Sequence, residues 1–135
     1  MFAVARNGRN VFTRRGIESV GIRSLSSEIP IKQVASVWKF NVKNEENAMI
    51  MDGVLKASIV PVLRKQPGFI KAERMVCKNE WAYECNLVFD SLDNFKGWKD
   101  SKDYKALMDQ TPSNLEKIGL KMEDAYNGAR VFDEM

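Results

Sequence analysis

A chain of 135 residues is long enough to bury one core but not two. Its 21 basic and 18 acidic residues give a net charge of +3, yet the excess sits in residues 1–27, where five arginines face Glu18 alone. The remainder is close to neutral, with mixed signs and no basic stripe for a phosphate backbone, which argues against nucleic-acid binding. No stretch approaches the roughly 20 apolar residues of a membrane span.

Residues 1–27 are rich in Arg and Ser, contain no Lys and are nearly free of acid, whereas the rest of the chain prefers Lys. This is the composition of a mitochondrial targeting presequence. The run from Arg23 to Ser26 resembles a matrix-protease site, with cleavage expected near Ser26. A plastid address and an ordinary basic tail are the other readings. Residues 28–135 are left as the domain.

Residues 34–43 alternate, with Val34, Trp38, Phe40 and Val42 on one side and Lys39, Asn41 and Lys43 on the other, which predicts a strand. Asn44 caps the helix that follows, and Glu45 and Glu46 supply acids to its first turn. Ala48, Met51, Leu55, Ile59 and Val62 then recur at helical steps. Pro61 has no N–H to bond back to Ala57, so the helix is expected to kink or stop there. Pro67 and Gly68 close it, with Gly68 as a left-handed cap.

Phe69 to Lys78 and Trp81 to Phe89 read as two strands joined by a tight turn near Asn79 and Glu80. In the second, Trp81, Tyr83, Cys85, Leu87 and Phe89 share one side, and Glu84 and Asn86 the other. Ser91 caps a second helix with Leu92, Phe95 and Trp98 facing inward. Thr111, Pro112 and Ser113 start a further short helical piece, and Ala129 to Phe132 form a last strand after Gly128. Cys77 and Cys85, eight apart and not in a CxxC, read as buried thiols. With no His in the chain they argue against a metal site.

This order predicts an α+β, ferredoxin-like βαββαβ domain, an antiparallel sheet with both helices on one face. The other face, partly apolar, is left to meet a partner. Two such sheets packed face to face make a homodimer, a dimeric α/β barrel.

Several short motifs recur in this order: Pro67-Gly68-Phe69, the strand end Phe89-Asp90, then Phe95, Trp98, Ser101 and Tyr104 three apart. Over about residues 33–133 the layout resembles the antibiotic biosynthesis monooxygenase (ABM) family of small dimeric barrels. In haem-degrading members a His ligates iron at the place held here by Met108, and a Trp presses on the haem at the place of Phe89. With no imidazole available, the resemblance implies no haem and no other cofactor.

The family's other activity is cofactor-independent monooxygenation of aromatic or quinol-like small molecules. It requires a base to form the substrate anion and polar groups to hold that anion near oxygen. The candidates for this work are Asn41, Glu84 and Asn86. Trp38, Phe89, Trp98, Met108 and Tyr126 are the candidates for ligand binding. Each has a plainer alternative: the Trp side chains as core or dimer interface, Asn41 and Asn86 as rim or interface residues, and Glu84 as the cross-strand partner of Lys39 or Lys71. Strict alternation puts Phe89 under the helices, whereas the resemblance puts it at the cavity. A bulge near the strand end or a reversed face assignment would reconcile the two. The alternative function is a non-catalytic structural or stress-response barrel protein of mitochondria.

Overall fold

The computed structural model of the chain describes residues 29–133. The expected presequence, its cleavage near Ser26 and its boundary at residue 27 lie outside the described residues. Four strands, β1 (Gln33–Asn41), β2 (Phe69–Cys77), β3 (Ala82–Phe89) and β4 (Tyr126–Phe132), form one antiparallel sheet in the order β2-β3-β1-β4. Between β1 and β2 run α1 (Glu45–Val54), a π-helical turn over Leu55–Ile59, and α2 (Val60–Leu63). Helices α3 (Leu92–Lys99) and α4 (Lys102–Glu116) separate β3 from β4. This is the α+β, ferredoxin-like arrangement expected from the sequence. No helix among the described residues is long and apolar enough to cross a membrane.

The register fixes the faces, because side chains alternate along each strand. Val34, Ser36, Trp38 and Phe40 pair with Phe89, Leu87, Cys85 and Tyr83 on the helix-covered face. Ala35, Val37, Lys39 and Asn41 pair with Val88, Asn86, Glu84 and Ala82 on the open face. At the centre of the covered side, Phe89 is fully buried, with ring centroids 5.7 Å from Phe69, 5.8 Å from Phe95 and 6.2 Å from Trp98. An aromatic cluster of this kind adds edge and offset-stacking attraction to its burial.

A bulge does occur near Phe89, but on the neighbouring strand. Phe69 pairs with Phe89 and Lys71 with Val88, so Ile70 is an extra residue in β2 and bulges half-exposed. Beyond it, Ala72, Arg74 and Val76 turn to the helices, opposite Leu87, Cys85 and Tyr83.

Four expectations need correction. Pro61 does not stop its helix. The backbone widens into the π turn just before it, with Val60 N–H bonding Leu55 O, and helix resumes to the fully buried Leu63. Such a turn relieves the clash that a Pro ring makes with the carbonyl four residues back. Pro112 does not start a helical piece but lies inside α4. The break comes earlier, at Ser101, whose Oγ accepts from Tyr104 N–H at 3.1 Å and donates to Trp98 O at 2.7 Å. Trp81 is not in β3. It ends the hairpin loop at φ 59°, and the strand starts at Ala82. Cys77 is exposed and only Cys85 is buried; both are free thiols on opposite faces of the sheet.

Other local expectations hold. Asn44 Oδ1 accepts from Asn47 N–H at 2.8 Å, and Ser91 Oγ from Asn94 N–H at 3.1 Å. Gly68 takes φ 79°, where a side chain would collide with Asn94 and Asp90. The last strand is a further correction: it begins at Tyr126, not Ala129, so Gly128 lies within it rather than before it.

Candidate functional site

Between the covered face and the helices lies a cavity of about 80 Å³. Its floor is Ser36, Trp38 and Phe40 of β1 with Tyr83, Cys85 and Leu87 of β3. One side is built by Met51, Val54, Leu55 and Ile59, from α1 and the π turn, the other by Trp98 and α4. Helix α4 reaches it because Tyr104, Leu107, Met108, Thr111, Asn114 and Leu115 recur at three- and four-residue steps along one stripe. That stripe runs unbroken past Pro112. Trp98 meets Tyr104 edge to face at 5.4 Å, which locks the start of α4 against the end of α3.

The wall is almost wholly apolar. Its polar groups are Ser36, Thr111, Asn114 and the Tyr83 and Tyr104 hydroxyls, with the Cys85 thiol. Thr111 Oγ1 donates to Leu107 O at 2.8 Å, which leaves it as an acceptor. No carboxylate, amine or imidazole is among the lining residues. Burial pushes the Cys85 thiol up to about 12, helped by the nearby Asp52 charge, so it is neither thiolate nor base at neutral pH.

Behind the floor lies a network that the sequence reading missed. Asp52 of α1 accepts from Arg74 of β2 through both oxygens, at 2.8 and 2.5 Å, and from the Tyr83 hydroxyl at 2.7 Å. Burial raises the Asp52 carboxyl, but the hydrogen bonds from Arg74 and Tyr83 and the charges of Arg74 and Lys56 outweigh it and hold the group below its ordinary value. Tyr83 is pushed well above the ordinary phenol range, first by burial and then by its bond to the Asp52 carboxylate. Its hydroxyl therefore stays protonated as a donor. The signal was there in part: Arg74 falls at a covered-face position of β2 once the bulge is counted.

The named candidates divide between the two faces. Trp38, Trp98 and Met108 come together on the cavity wall. Phe89 is on the covered face, as alternation expects, but it packs behind Trp98 and does not line the cavity, where the resemblance put it. Asn41, Glu84, Asn86 and Tyr126 stand on the open face, across the sheet from the cavity. There Asn41 ties the end of β1 to the hairpin, its Nδ2 donating to Glu80 O at 2.7 Å and its Oδ1 accepting from Lys43 N–H at 2.8 Å. Glu84 meets Lys39 at 3.8 Å, and Tyr126 carries Arg130 over its ring at 5.2 Å. Among the described residues, no group of His, Cys, Asp or Glu gathers as a metal site would require.

No family model matches the chain, and no curated protein matches its sequence. Solved structures do match its fold. SnoaB, a cofactor-independent oxygenase from Streptomyces nogalater, superposes with a TM-score of 0.56 at 15% identity, over 77% of this chain and 96% of that one. The monooxygenase ActVA-Orf6 of Streptomyces coelicolor, solved with the ligand nanaomycin D, gives 0.59 at 13% identity, over 78% and 90%. A Caulobacter crescentus protein proposed to be an antibiotic biosynthesis monooxygenase gives 0.54 at 15%, over 77% and 92%. The chain has the fold of the ABM proteins, as its sequence motifs implied.

Proposed function

We propose that this protein is a mitochondrial, homodimeric, cofactor-independent monooxygenase of the ABM type that takes a planar aromatic or quinol-like molecule into the cavity beneath α4. The observation that carries the reading is the cavity wall: Trp38, Trp98 and Tyr104 around an apolar floor, with Ser36, Thr111 and Asn114 as the few hydrogen-bonding groups. Apolar walls with sparse polar groups suit a flat, weakly polar ligand whose orientation is set by one or two bonds. The activities of SnoaB and ActVA-Orf6, on the same fold, point the same way.

In this reading the substrate supplies the electrons that reduce oxygen. Asn114 and Ser36 donate hydrogen bonds to its oxyanion, and the apolar wall excludes water from the intermediate. Since no carboxylate or amine lines the cavity, the substrate is one acidic enough to enter as its anion or to lose its proton to water.

The same lack of a wall base favours a second reading, a non-catalytic barrel in which the cavity only binds, or is merely residual space. Oxygen uptake over a panel of quinols, run beside quenching of tryptophan fluorescence, decides between them. The oxygenase reading expects saturable quenching and uptake, both lost in Leu107→Trp, which fills the cavity, with melting temperature held as the folding control. Quenching without uptake leaves a binder. Neither response leaves a structural protein.

Localisation and assembly have separate tests. Residues 1–40 fused to a fluorescent reporter should reach mitochondria, and Arg14→Glu with Arg15→Glu should prevent it. Sedimentation should give twice the 15.4 kDa chain mass, less any presequence removed.

A further inference from the structure

A second hollow, of about 70 Å³, adjoins the cavity beside the outer strand β4, and Ser36, Trp98 and Tyr104 line both. Its chemistry is different. On the sheet side, Asn127 and Ala129 of β4 stand beside Trp38 and Ser36 on the helix-covered face. On the helix side stands Lys99, the last residue of α3. Its Nζ sits 5.8 Å from the Phe95 ring centroid and 5.9 Å from that of Tyr104. The two rings attract the ammonium and hold it at the exposed rim.

The donors gathered here are unspent. Among the described residues Lys99 forms no ion pair with a carboxylate. The Asn127 side chain makes no hydrogen bond among them either. No acidic residue lines the hollow, so the Lys99 charge has no counter-charge in its wall. Lys99 is also the one charged side chain lining either space.

We propose that this hollow is a subsite for an acidic arm on the substrate: the ring lies in the cavity, and a carboxylate joined to it by a short link reaches Lys99 and the Asn127 amide. This rests on the cavity as the ligand site, as proposed above, and narrows the substrate to a single-ring phenol or hydroquinone that carries such an arm. Size points to one ring, since a dry cavity of about 150 Å³ holds benzene and the two hollows together are about that large. The donors suit the arm: an ammonium and a primary amide offer N–H groups to both oxygens of a carboxylate, and the ammonium supplies the charge that makes such bonds strong.

The test measures binding to the full chain by isothermal titration calorimetry, under nitrogen so that no turnover intervenes. The probes are 2,5-dihydroxyphenylacetate and the corresponding primary amide, which differ in the charge of the arm and hardly in its size. The acid should bind at least about 10-fold more tightly at low ionic strength, and added salt should weaken the acid alone. Lys99→Gln should erase the preference by weakening the acid and not the amide, whereas Lys99→Arg should keep it. Asn127→Ala should cost the acid several-fold. Lys105→Gln, a lysine of α4 that lines neither space, should change nothing and so controls for the general charge of the helices. Thermal melts confirm that each variant folds. Acid and amide bound equally, or a preference that survives Lys99→Gln, overturns the subsite and leaves the cavity as a ligand site. Binding of neither probe at millimolar concentration overturns the subsite as well, and the cavity reading falls with it only if the quinol panel is silent too.

Discussion

Asp52 offers a sharp test of the packing beneath the cavity, because it ties together α1, β2 and β3 through three hydrogen bonds. Asp52→Ala strips Arg74 and Tyr83 of their acceptor. The Arg74 side chain is 41% exposed, so water replaces that partner and the ion pair contributes at most about 1 kcal/mol. Tyr83 is 1% exposed, and a hydroxyl stranded there costs about 1–3 kcal/mol. The sum, about 1–4 kcal/mol, corresponds to a fall of about 5–25 °C in melting temperature for a domain of this size. Tyr83→Phe should cost only about 1 kcal/mol, since Asp52 keeps Arg74 and borders solvent. The double variant has no stranded hydroxyl and should be more stable than the sum of the singles by about 1 kcal/mol.

Acid titration adds a second axis. The folded Asp52 carboxyl titrates below the unfolded one, so its contribution is complete above about pH 4 and is lost as pH falls through the folded value. Urea unfolding of the four proteins at pH 7 and pH 3 measures both effects. Strict additivity in the cycle, or an Asp52→Ala deficit that does not shrink at pH 3, would refute the network's role.

Phe89→Ala empties the middle of the aromatic cluster and should cost about 3–5 kcal/mol, seen as a large loss of melting temperature or failure to fold; Phe89→Leu should retain most of the stability. Gly68→Ala forces a side chain onto φ 79° and into Asn94 and Asp90, so thermal melting should place it at least about 1 kcal/mol below the parent. Iodoacetamide at pH 8 should label Cys77 alone in the native protein, with Cys85 reacting only after denaturation, as peptide mass spectrometry would resolve.

Alternation over residues 34–41 and 82–89 was enough to find both central strands and to sort their side chains into two sets, because burial on one side leaves a strong period-two signal. Which set lies under the helices stayed open until the structure. The second helical region was harder. Ser91, Ser101 and Thr111 each offer a hydroxyl cap, and Pro112 strengthens the last of these locally. Packing decides instead: the stripe from Tyr104 to Leu115 keeps its helical spacing only if the helix starts at Ser101 and runs through Pro112. That stripe also carries Thr111 and Asn114, the polar members of the cavity wall.

The candidate site was legible to a lesser degree. Trp38, Trp98 and Met108 were found by aromatic spacing and by resemblance. Asn41, Glu84 and Asn86 were chosen as polar residues on a strand, and polarity alone does not tell which side of a sheet holds a cavity. The Asp52–Arg74–Tyr83 network joins residues 22 and 31 positions apart, across a bulge, and no short-range pattern announces it.

That bulge gives β2 one residue of slack. Phe69 and Lys71 already occupy successive rungs opposite Phe89 and Val88, so a chain without Ile70 would run through the same rungs as a regular strand. Arg74 would still reach Asp52, and Phe69 would still meet Phe89. Loss of one residue between Ala72 and Cys77 is different, for it turns part of the strand over and exchanges its core-facing and outward-facing side chains. Strand length and side-chain parity are thus uncoupled at one position of β2. When this chain is aligned with others of its fold, position 70 is where a gap does no structural harm.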